Sequence, residues 1–387
     1  MQVLASLQEE DNTFSEDCLT LNIWTKPQTG EKSKAVLFWL FGGGTGPYPV
    51  QKYFVDNEDV IVVTANYRVN IFGFPGLPGM DQNVGLLDQR MAIEWTKKNI
   101  AAFGGDPNRI TLFGQSAGGA SVEYYNYAWV QDPIVSGFIA QSSSATTFGI
   151  SAPPNNTAAW YSASQTLDCG GPSEGIPATV ACMRTKDYQD ILSAIIAPGG
   201  PTDLVGPFAP TVDNKIIFDN YSARANSGNF IKKPYFTGNN DYEAGLFRYT
   251  ATLYGAHLSE LEWAIFNLAS FSCPAASAAT HRAHHGVRTW RYRYFGEFEN
   301  LRLTVNPSSG AYHASELYTV WQTTEDCTGQ NNSDAETAIS TYLQGAWAAF
   351  AKDPEQGLSK SPYNWPTFNT RGRSYDLSQS IVHCLLV

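Results

Sequence analysis

The chain of 387 residues carries 25 Lys and Arg against 36 Asp and Glu, a formal net charge of −11. This acidic balance argues against non-specific binding to nucleic acid or to anionic membranes. Hydrophobic residues make up 43% of the sequence and charged residues 16%, which excludes a disordered or fibrous protein. No apolar run reaches the ~18–20 residues of a membrane span. We therefore expect a globular protein with no transmembrane segment and no nucleic-acid partner.

Predicted strands and helices alternate along the chain, as in sheets with helices on both faces. Apolar runs and helical spacing place these elements, in chain order, as strands at 19–24, 35–40 and 60–64, a helix at 86–100, a strand at 109–113, a helix from about 117, strands at 138–141, 233–238 and 289–294, and a helix at 337–352. The alternation predicts an α/β fold with a mostly parallel central sheet. We expect residues 1–387 to form a single domain, with a helical or irregular insertion at about 151–232.

The cysteines and glycosylation sequons bear on localisation. Cys169 and Cys182 flank a short, turn-rich segment, and we expect them to form a disulfide. The other four cysteines, whose pairing stays open, are Cys18, Cys273, Cys327 and Cys384. Three sequons mark candidate glycosylation sites at Asn155, Asn220 and Asn331. Together these features predict a secreted protein, although residues 1–11 do not read as a signal peptide.

The sequence Gly-Gln-Ser-Ala-Gly at 114–118 follows an apolar strand and precedes a helix. This strand–turn–helix context is typical of a nucleophile elbow, in which a sharp turn projects the central serine above the sheet. Ser116 is therefore the candidate nucleophile. The alternative is a Gly/Ser turn without chemistry.

A serine that transfers acyl groups needs backbone N–H donors for the oxyanion of its tetrahedral intermediate. Three glycines at 42–44 follow the strand at 35–40, and glycine lets the backbone turn its N–H groups inward. We assign the donors to Gly43, Gly44 and Ala117. By itself, the glycine run would also fit an ordinary loop.

A general base and an acid must follow the serine in the chain, in the order Ser, acid, His. Among the six histidines, His313 lies in a loop of small residues after the strand at 289–294. His281, His284 and His285 lie in a basic, Ala-rich stretch that resembles an exposed helix end, and a metal site there has little support. The residues alone leave Glu243 and Asp241 about equally favoured as the acid, and Asp213 fits a turn.

Several segments together resemble the type-B carboxylesterase family, which includes cholinesterases and fungal lipases and esterases. The segments are Ser-Glu-Asp-Cys-Leu-Thr-Leu-Asn-Ile at 15–23, Asn-Tyr-Arg at 66–68, Phe-Gly-Phe at 72–74, Asn-Val-Gly-Leu-Leu-Asp-Gln-Arg at 83–90 and the nearly complete serine signature at 103–119. The resemblance covers the whole chain and is closest to fungal secreted esterases.

The resemblance implies an α/β-hydrolase fold, with a helical insertion over the active site. It implies Glu243 as the acid, and supports His313 through the segment His-Ala-Ser-Glu-Leu at 313–317. It also implies a buried structural ion pair between Glu16 and Arg68. Family members have a longer N-terminal region, so the first strands of the sheet are expected to be missing here.

These residues predict a serine hydrolase that cleaves carboxylic esters through a Ser116–His313–Glu243 triad and an acyl-enzyme, without a metal or cofactor. Its partner would be a small-molecule or lipid ester, while acyl length and oligomeric state stay open. One alternative is a non-catalytic adhesion relative like the neuroligins. Another is a truncated, inactive esterase homologue.

Overall fold

The computed structural model describes residues 15–27, 32–43, 52–147, 157–195 and 208–369. Its strands are β1 (Leu21–Trp24), β2 (Lys34–Leu40), β3 (Ile61–Ala65), β4 (Gly105–Gln115), β5 (Gly137–Gln141), β6 (Tyr235–Asn240) and β7 (Thr289–Tyr294). Each predicted strand is present, and β4 is longer than its apolar run because Gly105 already bonds alongside Lys34 of β2.

The described helices surround this sheet. They are α1 (Lys52–Glu58), α2 (Asn70–Gly73), α3 (Val84–Asn99), α4 (Ala117–Ala128), α5 (Thr157–Thr166), α6 (Gly175–Met183), α7 (Tyr188–Ala194), α8 (Tyr221–Asn226), α9 (Ala244–Leu253), α10 (Glu260–Asn267), α11 (Cys273–His284), α12 (Ser315–Trp321), α13 (Thr324–Thr328) and α14 (Asp334–Lys352). A π-helical segment, Leu268–Ser272, joins α10 to α11. Short 3-10 turns lie at Ile100–Phe103, Glu299–Leu301 and Gly357–Ser359.

Within the described residues the sheet has seven strands, in the order β1-β3-β2-β4-β5-β6-β7. β1 pairs antiparallel with β3 at one edge, and all other neighbouring pairs are parallel. The predicted mostly parallel sheet is confirmed. Because β4, β5 and β6 are adjacent and parallel, the loops at their carboxyl ends open at the same edge, where α/β sheets bind ligands.

The central strands are apolar on both sides because helices cover both faces of the sheet. In β2, Val36 and Phe38 face one hydrophobic core, whereas Leu37 and Trp39 face the other. α14 packs on the second face, where Trp347 and Phe350 lie within 6 Å of the Phe236 ring of β6. The sheet is thus a buried platform whose strand ends hold the connecting loops in place.

The described helices between β5 and β6 include a disulfide-bonded group. Cys169 and Cys182 are joined, with 5.4 Å between their α-carbons, which confirms the predicted disulfide. Their separation of 13 residues corresponds to about 3 kcal/mol of loop-closure stabilisation. Trp160 and Met183 pack there with Ile71, which precedes α3 in the chain.

One local expectation is wrong and a second is only partly correct. Glu16 is exposed, and Arg68 pairs instead with Asp88, at 2.6 Å between Nη2 and Oδ1. The stretch at 281–285 is an exposed helix end only in part, because His284, the last residue of α11, is exposed, whereas His281 and Arg282 are 4% and 0% exposed. Arg282 donates to Glu123 of α4 at 2.5 Å, so the face of α11 that carries His281 and Arg282 is buried.

Candidate active site

Ser116 stands at the turn between β4 and α4, with φ 56° and ψ −122°. Such positive φ in a non-glycine residue stores strain and is found at functional sites. The turn is tight because a β-carbon on Gly118 would lie 2.0 Å from the carbonyl oxygen of Leu40, and one on Gly114 would lie 2.5 Å from the backbone of Gly118. The glycines of the motif therefore permit close backbone approach, as the sequence context predicts.

His313 and Glu243 converge on this serine from later loops. The Nε2 atom of His313 lies 2.7 Å from the Oγ of Ser116, and its Nδ1 atom lies 2.6 Å from an oxygen of Glu243. All three side chains are buried, with Ser116 9%, His313 4% and Glu243 0% exposed. The structure thus brings the three predicted residues into one continuous hydrogen-bonded series.

The other candidates for acid and base lie elsewhere. Asp241 pairs with Arg293 at 2.5 Å and is partly exposed. Asp213 accepts three backbone N–H bonds in its own turn. His281 is held by the carbonyl of Ser277 and the amide of Asn226. Among these candidates, His313 alone contacts the serine and Glu243 alone contacts His313.

The loop after β2 also approaches the serine. Gly43 has φ 69° and lies at the start of this loop, whereas Gly44 is outside the described residues. Ala117 is the first residue of α4, next to Ser116. Gly42 was not assigned a role from the sequence, yet a β-carbon there would lie 2.9 Å from the β-carbon of Ser116. The loop therefore needs glycine at 42 to approach the serine. The run of three glycines at 42–44 was the feature of the sequence that could have indicated this role of Gly42.

Sequence reasoning also missed Asn240, which bonds the candidate acid Glu243, and Glu316, which bonds Asn240. The backbone N–H of Asn240 donates to Glu243 at 2.6 Å, and its amide donates to the carbonyl of Tyr312 at 2.7 Å and to Glu316 at 2.6 Å. Gln141 donates to the other oxygen of Glu316 at 3.1 Å. Asn240 thus ties the acid loop to the histidine loop. Its side-chain partners are 72 or more residues away, so no local pattern could indicate them.

Glu316 is a second buried carboxyl group behind the site, 1% exposed. Burial, reinforced by the negative charge of Glu243, raises the pKa of Glu316 to about 8. The folded chain therefore retains a proton here that the unfolded chain releases near ~4.3. Because the folded state binds one more proton than the unfolded state between these two pKa values, the free energy of unfolding falls as the pH rises through this range.

We expect Glu316→Gln to lose less stability than the wild type between pH 5 and 8, because the amide has no proton to release. Urea unfolding midpoints across this range measure the difference in slope. Glu299→Gln, at an exposed position, is the control and should keep the wild-type slope. Parallel slopes for wild type and Glu316→Gln would contradict the assignment.

Aromatic rings enclose the imidazole. The ring centroids of Phe247 and Phe271 lie 5.2 and 5.0 Å from that of His313. These contacts fix the ring and exclude water, which strengthens its hydrogen bonds to Ser116 and Glu243.

Neither a metal cluster nor a membrane span is found in the part of the chain that the structure describes. No group of three or more His, Cys, Asp or Glu side chains in these ranges could hold a metal ion. The helices of the same ranges are too short or too polar to cross a bilayer.

A serine at a strained strand-to-helix turn, above the carboxyl edge of a mostly parallel sheet, is the arrangement that characterises α/β-hydrolases, and the fold places the chain in this class. Comparison with known proteins narrows the class to a family. The profile of the Carboxylesterase family matches residues 1–264. Together with the relatives described next, this match shows that the chain belongs to the carboxylesterase family and is a carboxylic ester hydrolase.

Two curated fungal proteins are similar over most of the chain. Secreted lipase 5 of Gibberella zeae is 35% identical over 388 residues, covering 91% of this chain and 70% of the relative. Chlorogenic acid esterase of Aspergillus niger is 36% identical over 379 residues, covering 92% of this chain and 72% of the relative. Both names describe ester-cleaving enzymes, which does not favour a non-catalytic binding relative.

Proposed function

We propose that the chain cleaves carboxylic esters through a covalent acyl-enzyme formed on Ser116. The observation that carries this proposal is the series Ser116 Oγ–His313 Nε2–His313 Nδ1–Glu243 Oε2, with distances of 2.7 and 2.6 Å. His313 takes the proton of the Ser116 hydroxyl as the oxygen attacks the ester carbonyl, and then returns it to the departing alcohol. A water molecule then attacks the acyl-enzyme, with His313 again taking and returning the proton, and the carboxylic acid product leaves Ser116.

Glu243 holds the imidazole in one tautomer, with the Nδ1 proton toward its carboxylate, and stabilises the imidazolium that forms. The backbone N–H of Asn240 in turn positions this carboxylate. Gly43, Gly44 and Ala117 are the proposed oxyanion donors. Such donors act mainly in the transition state, when the carbonyl oxygen becomes negative. For Gly44, which lies outside the described residues, this role is supported by the sequence alone.

The proposed substrates are small-molecule esters, including lipid esters and chlorogenic acid, in line with the names of the two relatives. We also propose that the chain is secreted, as the name of the Gibberella zeae lipase states for that protein. Asn220 and Asn331 are exposed and could be glycosylated, whereas Asn155 lies outside the described residues. Asn220 caps α8 through its Oδ1 atom, which leaves Nδ2 available.

Trapping the intermediate tests the mechanism. Rapid acid quenching during turnover of p-nitrophenyl acetate should give protein heavier by one acetyl group, and peptide mapping should place it on Ser116. The release of p-nitrophenol should begin with a burst when deacylation is slower than acylation. An acetyl group on another residue during turnover would refute the assignment of Ser116.

A further inference from the structure

The loop that follows β2 carries two of the proposed oxyanion donors, and its glycines give it little conformational preference of its own. Gly42, Gly43 and Gly44 stand in succession, and glycine samples more backbone conformations than any other residue. Gly43 holds φ at 69°, in the left-handed region. An oxyanion site is effective when its N–H donors are oriented before the charge develops. Such a loop therefore needs contacts from outside itself to keep one conformation.

Tyr67 supplies such a contact at the first residue of the loop. Its hydroxyl donates to the carbonyl oxygen of Phe41 at 2.7 Å, and its ring stacks on the Phe41 ring with 4.2 Å between centroids and 21° between planes. The same carbonyl oxygen would lie 2.8 Å from a β-carbon on Gly118, in the first turn of α4. Phe41 is thus held between Tyr67 and the helix that begins next to Ser116.

The hydrogen bond to Phe41 fixes a peptide group of the loop. The carbonyl of Phe41 and the N–H of Gly42 belong to one planar trans unit, in which they point in opposite directions. Anchoring the carbonyl oxygen therefore sets the direction of the Gly42 N–H and the position of its α-carbon, from which the chain enters Gly43. Tyr67 in this way acts through the backbone on the donors that follow.

Tyr67 is itself held firmly, as a residue that positions others must be. It follows β3, the parallel neighbour of β2, so both segments leave the sheet at the same edge. On one side of it, the Asn66 amide donates to the carbonyl of Cys18 at 3.1 Å. On the other side, Asp88 of α3 accepts from the backbone N–H and the guanidinium of Arg68. The Asn-Tyr-Arg segment at 66–68 is therefore a rigid support for the tyrosine.

We propose that Tyr67 is a positioning residue for ester hydrolysis, whose hydroxyl and ring hold residues 41–44 with their N–H groups directed at the oxyanion. The inference rests on the proposed function and adds to it a residue outside the triad and the proposed donors. Acylation and deacylation both pass through a tetrahedral oxyanion on the same carbonyl carbon. Loss of the contact therefore slows whichever step limits turnover.

Tyr67→Phe removes the hydroxyl and keeps the ring, so kcat per active site is the quantity to compare. Titration to completion with diethyl p-nitrophenyl phosphate counts the reactive sites and corrects for any change in the folded fraction. We expect kcat on p-nitrophenyl acetate to fall about tenfold with KM within twofold, because a loosened donor costs less than the ~10²–10³ of a removed one. The Ki of trifluoroacetone, whose adduct with Ser116 carries an oxyanion, should rise by a similar factor.

Tyr221→Phe is the matched control. Tyr221 is also buried, 5% exposed, and its hydroxyl also bonds a backbone group, accepting from the N–H of Phe218 at 3.3 Å. It packs on Tyr124 and Tyr127 of α4 and lines a cavity of about 440 Å³ beside that helix. We expect kcat and the Ki of trifluoroacetone to stay within twofold of the wild type.

Phe41→Leu is a second variant, should Tyr67→Phe not fold. It removes the stacked ring but leaves the carbonyl that Tyr67 bonds, so we expect kcat to fall about threefold and the Ki of trifluoroacetone to rise by the same factor. An unchanged Ki in this variant would contradict the proposal.

Three outcomes for Tyr67→Phe would overturn the proposal: unchanged kcat and Ki, a loss confined to KM, or a loss equal to that of Tyr221→Phe. If Ser116→Ala loses activity while Tyr67→Phe keeps it, the role of Tyr67 fails and the proposed function stands. If diethyl p-nitrophenyl phosphate labels a residue other than Ser116, the proposed function itself fails.

Discussion

Replacing Ser116 by alanine should lower kcat on p-nitrophenyl acetate by at least about 10⁴-fold, because the attacking oxygen is removed. The hydroxyl is held 2.7 Å from His313 Nε2, and no small shift of the alanine backbone can supply a substitute. Some turnover should remain above the rate in buffer, since oriented N–H donors stabilise the oxyanion of water attack as well. Steady-state kinetics measure the loss in kcat, at a concentration of the variant high enough that its residual rate exceeds the rate in buffer.

Ser121→Ala provides the matched control. Ser121 lies on the same helix and is 6% exposed, but its hydroxyl accepts from Gln89 on α3 rather than facing His313. We expect this variant to retain activity within about threefold. Full activity of Ser116→Ala, or equal losses in both variants, would remove Ser116 from the mechanism.

Replacing Arg282 by methionine should destabilise the fold by about 3–5 kcal/mol, because it leaves Glu123 as an uncompensated buried charge. The two side chains are 0% and 1% exposed and 2.5 Å apart. Burial by itself lowers the pKa of Arg282, but the charge of Glu123 and the neighbouring tyrosines raise it further, so the guanidinium stays charged. The ring of Tyr235 adds a cation–π contact at 3.9 Å. Guanidinium chloride unfolding measures the effect.

Arg248→Met is the control for this pair. Arg248 donates to Glu260 at a similar 2.5 Å, but the side chain of Glu260 is 76% exposed. Exposed pairs of this kind contribute at most about 1 kcal/mol, so a small change is expected. Combining Arg282→Met with Glu123→Gln should recover part of the loss by removing the buried charge. Equal effects of Arg282→Met and Arg248→Met would show that burial does not govern the strength of these pairs.

The serine turn, with its proposed nucleophile, and the sheet could be predicted from the sequence because both depend on local patterns. Apolar runs of strand length identify β2 and β3, and the glycines around Ser116 follow from the tight turn between strand and helix. The residues alone left Glu243 and Asp241 undecided as the acid. The two carboxylates are close in the chain but have different partners from elsewhere in it: His313 pairs with Glu243, whereas Arg293 of β7 pairs with Asp241.

One error arose where a local pattern was used to infer exposure, and the other where a contact was carried over from the family resemblance. The basic, Ala-rich composition around His281 suggested exposure, yet Arg282 is buried because Glu123, 159 residues earlier, offers a carboxylate in the interior. The Glu16–Arg68 pair was carried over from the family resemblance, but here it is Asp88 that accepts two hydrogen bonds from the guanidinium of Arg68.

By itself, the sequence determined the mostly parallel sheet, the serine turn and the Cys169–Cys182 disulfide, because each is specified by residues close together in the chain. The residues left the choice between Glu243 and Asp241 open and only the family resemblance implied Glu243, which the tertiary structure places beside the histidine. Tertiary structure alone decided that Asn240 and Glu316 contact each other next to these residues, and that a cavity with a polar lining lies beside α4. These features depend on contacts between segments separated by 70 or more residues. Their energies come from burial and hydrogen bonding, which local sequence patterns do not encode.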